Sequence, residues 1–122
     1  MTIVDGVLDE FKKLAAIPRK SGEEKAVSDF LKSYLTEQGY HVVQDEVNNI
    51  ISDAPATPGC EQAPRTILQG HMDMVCVAED GYAYDPLRDP IKLVRSEKYL
   101  EAEGTSLGAD DGIGVAEGIY LL

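Results

Sequence analysis

A histidine and an aspartate stand two positions apart at the end of an apolar run, Ile67-Leu68-Gln69-Gly70-His71-Met72-Asp73-Met74-Val75. In an extended chain residues i and i+2 point to the same side, so His71 and Asp73 face one cleft. An imidazole placed there can hold a divalent metal through one ring nitrogen, while the carboxylate takes the other ring N–H and fixes the tautomer. A second block, Gly104-Thr105-Ser106-Leu107-Gly108-Ala109-Asp110-Asp111-Gly112-Ile113-Gly114-Val115-Ala116, puts a carboxylate pair on a glycine-rich turn that opens a helix. His71 and Asp110 are 39 positions apart, enough for a hairpin excursion that returns the chain to the same end of a sheet.

Singly, each block has a plain structural reading. A His-x-Asp tripeptide arises easily by chance, and Asp-Asp-Gly is a common turn or helix cap. The conjunction points to function. One block follows an apolar strand and the other precedes an apolar helix, so both fall beyond the carboxyl ends of strands, where open α/β sheets place their sites.

The two blocks, with Ile17-Pro18-Arg19-Lys20-Ser21-Gly22-Glu23-Glu24-Lys25 and Gln44-Asp45-Glu46-Val47-Asn48-Asn49-Ile50, resemble the opening of an aminoacyl-histidine dipeptidase. That family belongs to the co-catalytic zinc exopeptidases, with carboxypeptidase G, tripeptidase T and aminoacylase. The resemblance implies an α/β fold, the N-terminal part of a zinc-exopeptidase catalytic domain with a mixed β-sheet flanked by helices. It implies metal ligation by His71 and by Asp110 as the bridging carboxylate, a catalytic orienting role for Asp73, and a cis peptide bond at Asp110-Asp111. The remaining ligands and the general base, a Glu-Glu pair, an Asp and a distal His, are expected beyond Leu122. Residues 1–122 therefore correspond to an incomplete N-terminal portion of the domain.

In the complete enzyme the resemblance implies two zinc ions, or other divalent metals, sharing a water and hydrolysing a dipeptide of the Xaa-His type. Such paired ions lie ~3.5–4 Å apart. With two of five ligands, these 122 residues are expected to bind metal weakly or not at all and to be inactive alone. Tripeptidases and deacylases share the metal chemistry and differ in substrate pockets. The alternative reading is a catalytically inactive fragment that folds or oligomerises without a complete metal site.

Composition narrows the classes further. A net charge of −11, from 22 acidic against 11 basic residues, disfavours nucleic acid and anionic membrane surfaces as partners. The N-terminus has no charged segment followed by a long apolar one, and no apolar run reaches the ~18–20 residues that span a bilayer. A cytoplasmic location is expected. Cys60 and Cys76 form no Cys-x-x-Cys pair and read as free thiols of a reducing compartment. His41, in the strand-like Tyr40-His41-Val42-Val43, reads as a structural residue.

These blocks need elements to position them. Apolar residues at Val4, Val7, Leu8, Phe11, Leu14 and Ala15 predict a helix over 4–16 that stops before Pro18. A second helix is expected with Ser21 as its cap, Glu23 and Glu24 in its first turn, and Val27, Phe30, Leu31, Tyr34 and Leu35 as its buried stripe, ending at Gly39. Strands are expected at 41–45, 48–52 and 65–69, the last delivering His71, and a hairpin at 91–94 and 99–102 around Ser96-Glu97. The segment 53–59, with two prolines and a glycine, reads as a surface loop. A helix from Asp111 carries Ile113, Val115, Ala116, Ile119, Tyr120, Leu121 and Leu122. That face is apolar nearly all round, so self-association through this end or an open sheet edge is expected.

Overall fold

A computed structural model describes residues 1–122. The first helix, α1 (Ile3–Ala15), opens on a capping box: the Asp5 N–H donates to Thr2 Oγ1 at 3.1 Å and the Thr2 N–H donates to Asp5 Oδ2 at 3.0 Å. Its inner face buries Phe11, Leu14 and Ala15. Phe11 is 0% exposed at the centre of the core. Replacing it with alanine is expected to lower stability by ~3–5 kcal/mol, the range for emptying a buried aromatic site. Chemical denaturation of Phe11→Ala against the parent chain measures it.

The second helix, α2 (Lys25–Glu37), begins four residues after Ser21, with Glu24 at its cap and no side-chain cap bond. Ser21 therefore does not cap it. The Ser21 hydroxyl donates instead to Asp73 Oδ2 at 2.5 Å, because a charged carboxylate is a stronger partner than a helix amide. Val27, Ser28, Leu31 and Leu35 are the buried residues of α2. Phe30 and Tyr34 are half-buried and stack on one another, ring centroids 5.4 Å apart. Tyr34 donates to Glu10 Oε1 at 2.9 Å and accepts from Lys13 Nζ at 2.9 Å, which ties α2 to α1. Its polar tip explains why the stripe is half-buried there rather than closed.

Two hairpins follow. Strand β1 (His41–Gln44) pairs antiparallel with β2 (Ile50–Asp53), and β3 (Leu93–Arg95) with β4 (Leu100–Ala102). The turn between β1 and β2 is folded on Asp45, whose Oδ1 accepts the N–H groups of Val47 and Asn49 at 3.0 and 2.8 Å. This is the Asx geometry that tightens turns. His41 is exposed on β1.

The chain has the expected α/β character, as helices with small sheets. Strand pairing is confined to these two hairpins and to isolated bridges at Lys20–Met74 and Ala78–Thr105. The expected strand at 65–69 is not formed. No backbone–backbone hydrogen bond involves these residues, and Ile67 and Leu68 are 83% and 57% exposed. A strand exists only through its neighbours' ladder, and none lies alongside this apolar segment.

The last helix, α3 (Ala109–Leu121), packs against α1 and buries Gly112 and Ala116. Ile113, Val115 and Ile119 are half-buried against the core, while Tyr120, Leu121 and Leu122 are 41%, 70% and 42% exposed. The core gathers Phe11, Leu14, Ala15, Val27, Leu31, Met74, Ile91 and Ala116. It therefore joins all three helices to the segment that follows His71.

Candidate metal centre

The extended segment through His71 and the start of α3 meet at the surface. Gly108 precedes α3 in the left-handed region, φ 78°, where a side chain other than glycine is disfavoured. The helix is irregular at Asp110 and Asp111, and the Asp110–Asp111 peptide is cis, as the resemblance implies. The two carboxylates of this turn diverge. Asp110 faces His71 in solvent, its side chain 97% exposed. The Asp111 carboxylate turns inward, and its Oδ2 accepts the His71 backbone N–H at 3.3 Å. A Cβ on Gly70 would lie 2.6 Å from that oxygen, and one on Gly114 would also collide with the Asp111 carboxylate. Glycine at both positions makes the room.

Within the cluster, His71 Nδ1 lies 2.9 Å from Asp73 Oδ1 and His71 Nε2 lies 3.0 Å from Asp110 Oδ1. The structure thus brings together the three residues singled out in the sequence. Asp73 is held in turn by the Ser21 hydroxyl, which pulls its pKa below the usual carboxylate range; burial opposes this and His71 adds to it. For His71 the hydrogen bond its ring donates to Asp110 raises the pKa above the ordinary imidazole value; partial burial opposes it and Asp73 reinforces it.

With both ring nitrogens facing carboxylates, the ring in its protonated form can donate on both sides. A proton on Nε2 occupies the place a cation would take. The fit to a metal can be judged from the donors: nitrogen and oxygen ligands of one tetrahedral zinc, at about 2.0–2.2 Å each, stand about 3.3 Å apart. The observed 3.0 Å separation lies within a few tenths of an ångström of that spacing. An imidazole and a carboxylate are also the donor types zinc accepts. They supply two donors, and no group of three or more His, Cys, Asp or Glu side chains is placed to hold one metal ion. Cys76 takes no part; its thiol lies 3.7 Å from the Met74 carbonyl.

The raised pKa of His71 has a sign that can be tested. The folded value lies above the unfolded one, so the pair contributes stability that is complete below the ordinary imidazole pKa of about 6.5 and is lost as pH rises through the higher folded value. The His71 side chain is 54% exposed, so solvent keeps that contribution small. In the metal-free chain, the NMR titration midpoint of the His71 ring is expected above the ordinary imidazole value, and Asp110→Ala is expected to lower it.

The site roles of three residues are not evident from the sequence. Ser21 reads there as a helix cap. Asp111 was read only as half of a carboxylate pair, although its backbone acceptor role is typical of Asp at a turn. Arg19 donates from Nη1 to the Met72 carbonyl at 3.1 Å and from Nη2 to the Gly108 carbonyl at 2.8 Å. Nothing in its residue type or spacing separates it from a surface arginine. A surface cavity of about 540 Å³, lined by Pro18, Lys20, Glu23, Lys25, Ala26, Asp29, Pro86 and Leu87, lies apart from the His71 cluster.

Comparison with known proteins finds dipeptidases. No protein-family model matches the chain. It is 37% identical over 114 residues to the cytosol non-specific dipeptidase of Escherichia coli (strain K12), which covers 93% of this chain and 24% of that protein. It superposes on the crystal structure of aminoacylhistidine dipeptidase from Vibrio alginolyticus with a TM-score of 0.91 and 35% identity, over 95% of this chain and 24% of that one. The chain spans about a quarter of the length of these relatives.

Proposed function

From this homology to dipeptidases, which are hydrolases, we infer that the chain carries one part of a metal-dependent dipeptidase site, the part built on His71. The proposed activity is hydrolysis of dipeptides, of the Xaa-His type as the name of the Vibrio relative suggests. Residues 1–122 are read as the first portion of the catalytic domain. The observation that carries the reading is the orientation of His71, held at Nδ1 by Asp73 and facing Asp110 with Nε2. In this reading His71 Nε2 and the Asp110 carboxylate would hold the metal, Asp110 as the carboxylate shared with the rest of the complete site. Zinc bound there would polarise a peptide carbonyl and lower the pKa of water.

The chain's own residues prepare that chemistry. Asp73 keeps the proton on Nδ1 and so leaves the Nε2 lone pair for the metal. Ser21 fixes the Asp73 carboxylate, and the His71 amide is anchored by Asp111. In a full-length dipeptidase carrying the same two blocks, Asp73→Ala is expected to retain metal and lose ~10–100-fold in turnover. Metal analysis beside steady-state kinetics would test it; unchanged turnover would remove Asp73 from the site.

The name of the Escherichia coli relative places that protein in the cytosol, which supports the same location here. No helix is long and apolar enough to cross a membrane. The charge of −11 supports a small peptide rather than nucleic acid or an anionic membrane as partner.

A second reading, a fragment that self-associates without catalysis, is favoured by the exposure of Ile67, Leu68 and Leu121. Light scattering across a concentration series separates it from a monomer.

A further inference from the structure

The connector between α1 and α2 reaches the cluster from its buried side. Arg19 is 1% exposed, yet it forms no ion pair. Its guanidinium is spent on carbonyls: Nη1 donates to Met72 at 3.1 Å and, more weakly, to Asp73 at 3.5 Å, and Nη2 donates to Gly108 at 2.8 Å. Met72 and Asp73 directly follow His71, and Gly108 lies two residues before Asp110.

The main chain of the connector makes a second tie. The Met74 N–H donates to the Arg19 carbonyl at 3.0 Å, and the Ser21 N–H donates to the Met74 carbonyl at 3.2 Å. One residue thus grips the His71 segment with its backbone and joins it to the Asp110 turn with its side chain.

A buried arginine is costly, and its Nε finds no partner. If Arg19 merely filled the core, an apolar residue would serve better. What the guanidinium offers is a rigid planar fork that meets two acceptors at once, which a lysine ammonium on a flexible stem does not reproduce. The surroundings leave room for that fork: a Cβ at Gly108 or Gly112 would lie 2.6 or 2.7 Å from Nη2.

We propose that Arg19 is a positioning residue, a strut that sets the separation of His71 from Asp110 by bridging the carbonyls of the two segments that carry them. It touches neither metal nor substrate. The inference rests on the reading of the cluster as a metal centre, and its test keeps the two apart.

The 122-residue chain is titrated with zinc by isothermal calorimetry, comparing the parent, Arg19→Lys and His71→Ala, with the His71 ring followed by NMR in the first two. Arg19→Lys is expected to keep a folded spectrum and weaken zinc binding at least ~10-fold, whereas a purely structural role would lower the melting temperature and leave affinity unchanged. Parent-like affinity in folded Arg19→Lys overturns the strut. Unchanged zinc affinity in His71→Ala overturns the metal reading instead.

Should Arg19→Lys not fold, or His71 bind no zinc, the parent protein decides the question alone. Slowly exchanging Arg19 guanidinium protons with nuclear Overhauser contacts to both Met72 and Gly108 support the strut. Contacts to one segment only overturn it.

Discussion

Supplied with zinc and an Xaa-His dipeptide, the purified 122-residue chain is expected to show no hydrolysis above the uncatalysed background, while a full-length dipeptidase carrying the same blocks turns the substrate over. The physical reason is the donor count. Within these residues the cluster offers an imidazole nitrogen and a carboxylate, where catalytic zinc takes three protein ligands and keeps a position for water. No third His, Cys, Asp or Glu is placed to complete a metal shell with them. The Asp73 carboxylate is engaged by His71 and Ser21, so it is committed to orientation rather than free to accept a proton from water. A general base contributes ~10²–10⁴-fold, and its loss adds to that of a secure metal. Robust zinc-dependent cleavage by the chain alone would contradict this account.

The second large effect belongs to the proposed ligands themselves. In the full-length dipeptidase, His71→Ala and Asp110→Ala are each expected to abolish metal retention at stoichiometric zinc and to reduce turnover to background. Asp73→Ala, acting through the imidazole, should keep much of the metal. That contrast is the signature of a ligand against an orienting residue. Metal content after dialysis, measured beside circular dichroism, separates ligand loss from unfolding. His71 and Asp110 are both exposed, with side-chain exposures of 54% and 97%, so their removal should leave the fold intact.

Much of this was legible in the sequence, and the misses have physical causes. The 3.6-residue spacing of Val7, Phe11 and Leu14 marks α1 because one face meets the core. Gly39 marks the end of α2 because its φ of 95° suits glycine. The β3–β4 hairpin around Ser96 follows from two short apolar runs separated by turn residues.

The strand at 65–69 was not legible as absent, since periodicity reports what a segment can pair with and not whether a partner lies beside it. Ser21 illustrates the same limit at the scale of one side chain. Its sequence context suits a helix cap, and the competing partner, Asp73, is 52 residues away.

The site divides in the same way. His71 and Asp73 were legible because an i, i+2 pair on an extended chain faces one side, and the structure shows the 2.9 Å contact. That Asp110 rather than Asp111 faces His71 followed from the family resemblance, since the two neighbours are chemically identical and only the turn separates them. Arg19 was beyond reach, because its partners are backbone carbonyls 53 and 89 positions away, and a carbonyl has no sequence signature.

The measurement that bears most directly on the central claim is crystallographic. Crystals of the 122-residue chain soaked in zinc, with data collected on both sides of the zinc absorption edge, are expected to show an anomalous peak about 2.0–2.2 Å from His71 Nε2 and from an Asp110 carboxylate oxygen, with Nδ1 still on Asp73. Zinc bound elsewhere while the His71–Asp110 contact stays closed at its metal-free separation would contradict the assignment of this cluster as a metal centre.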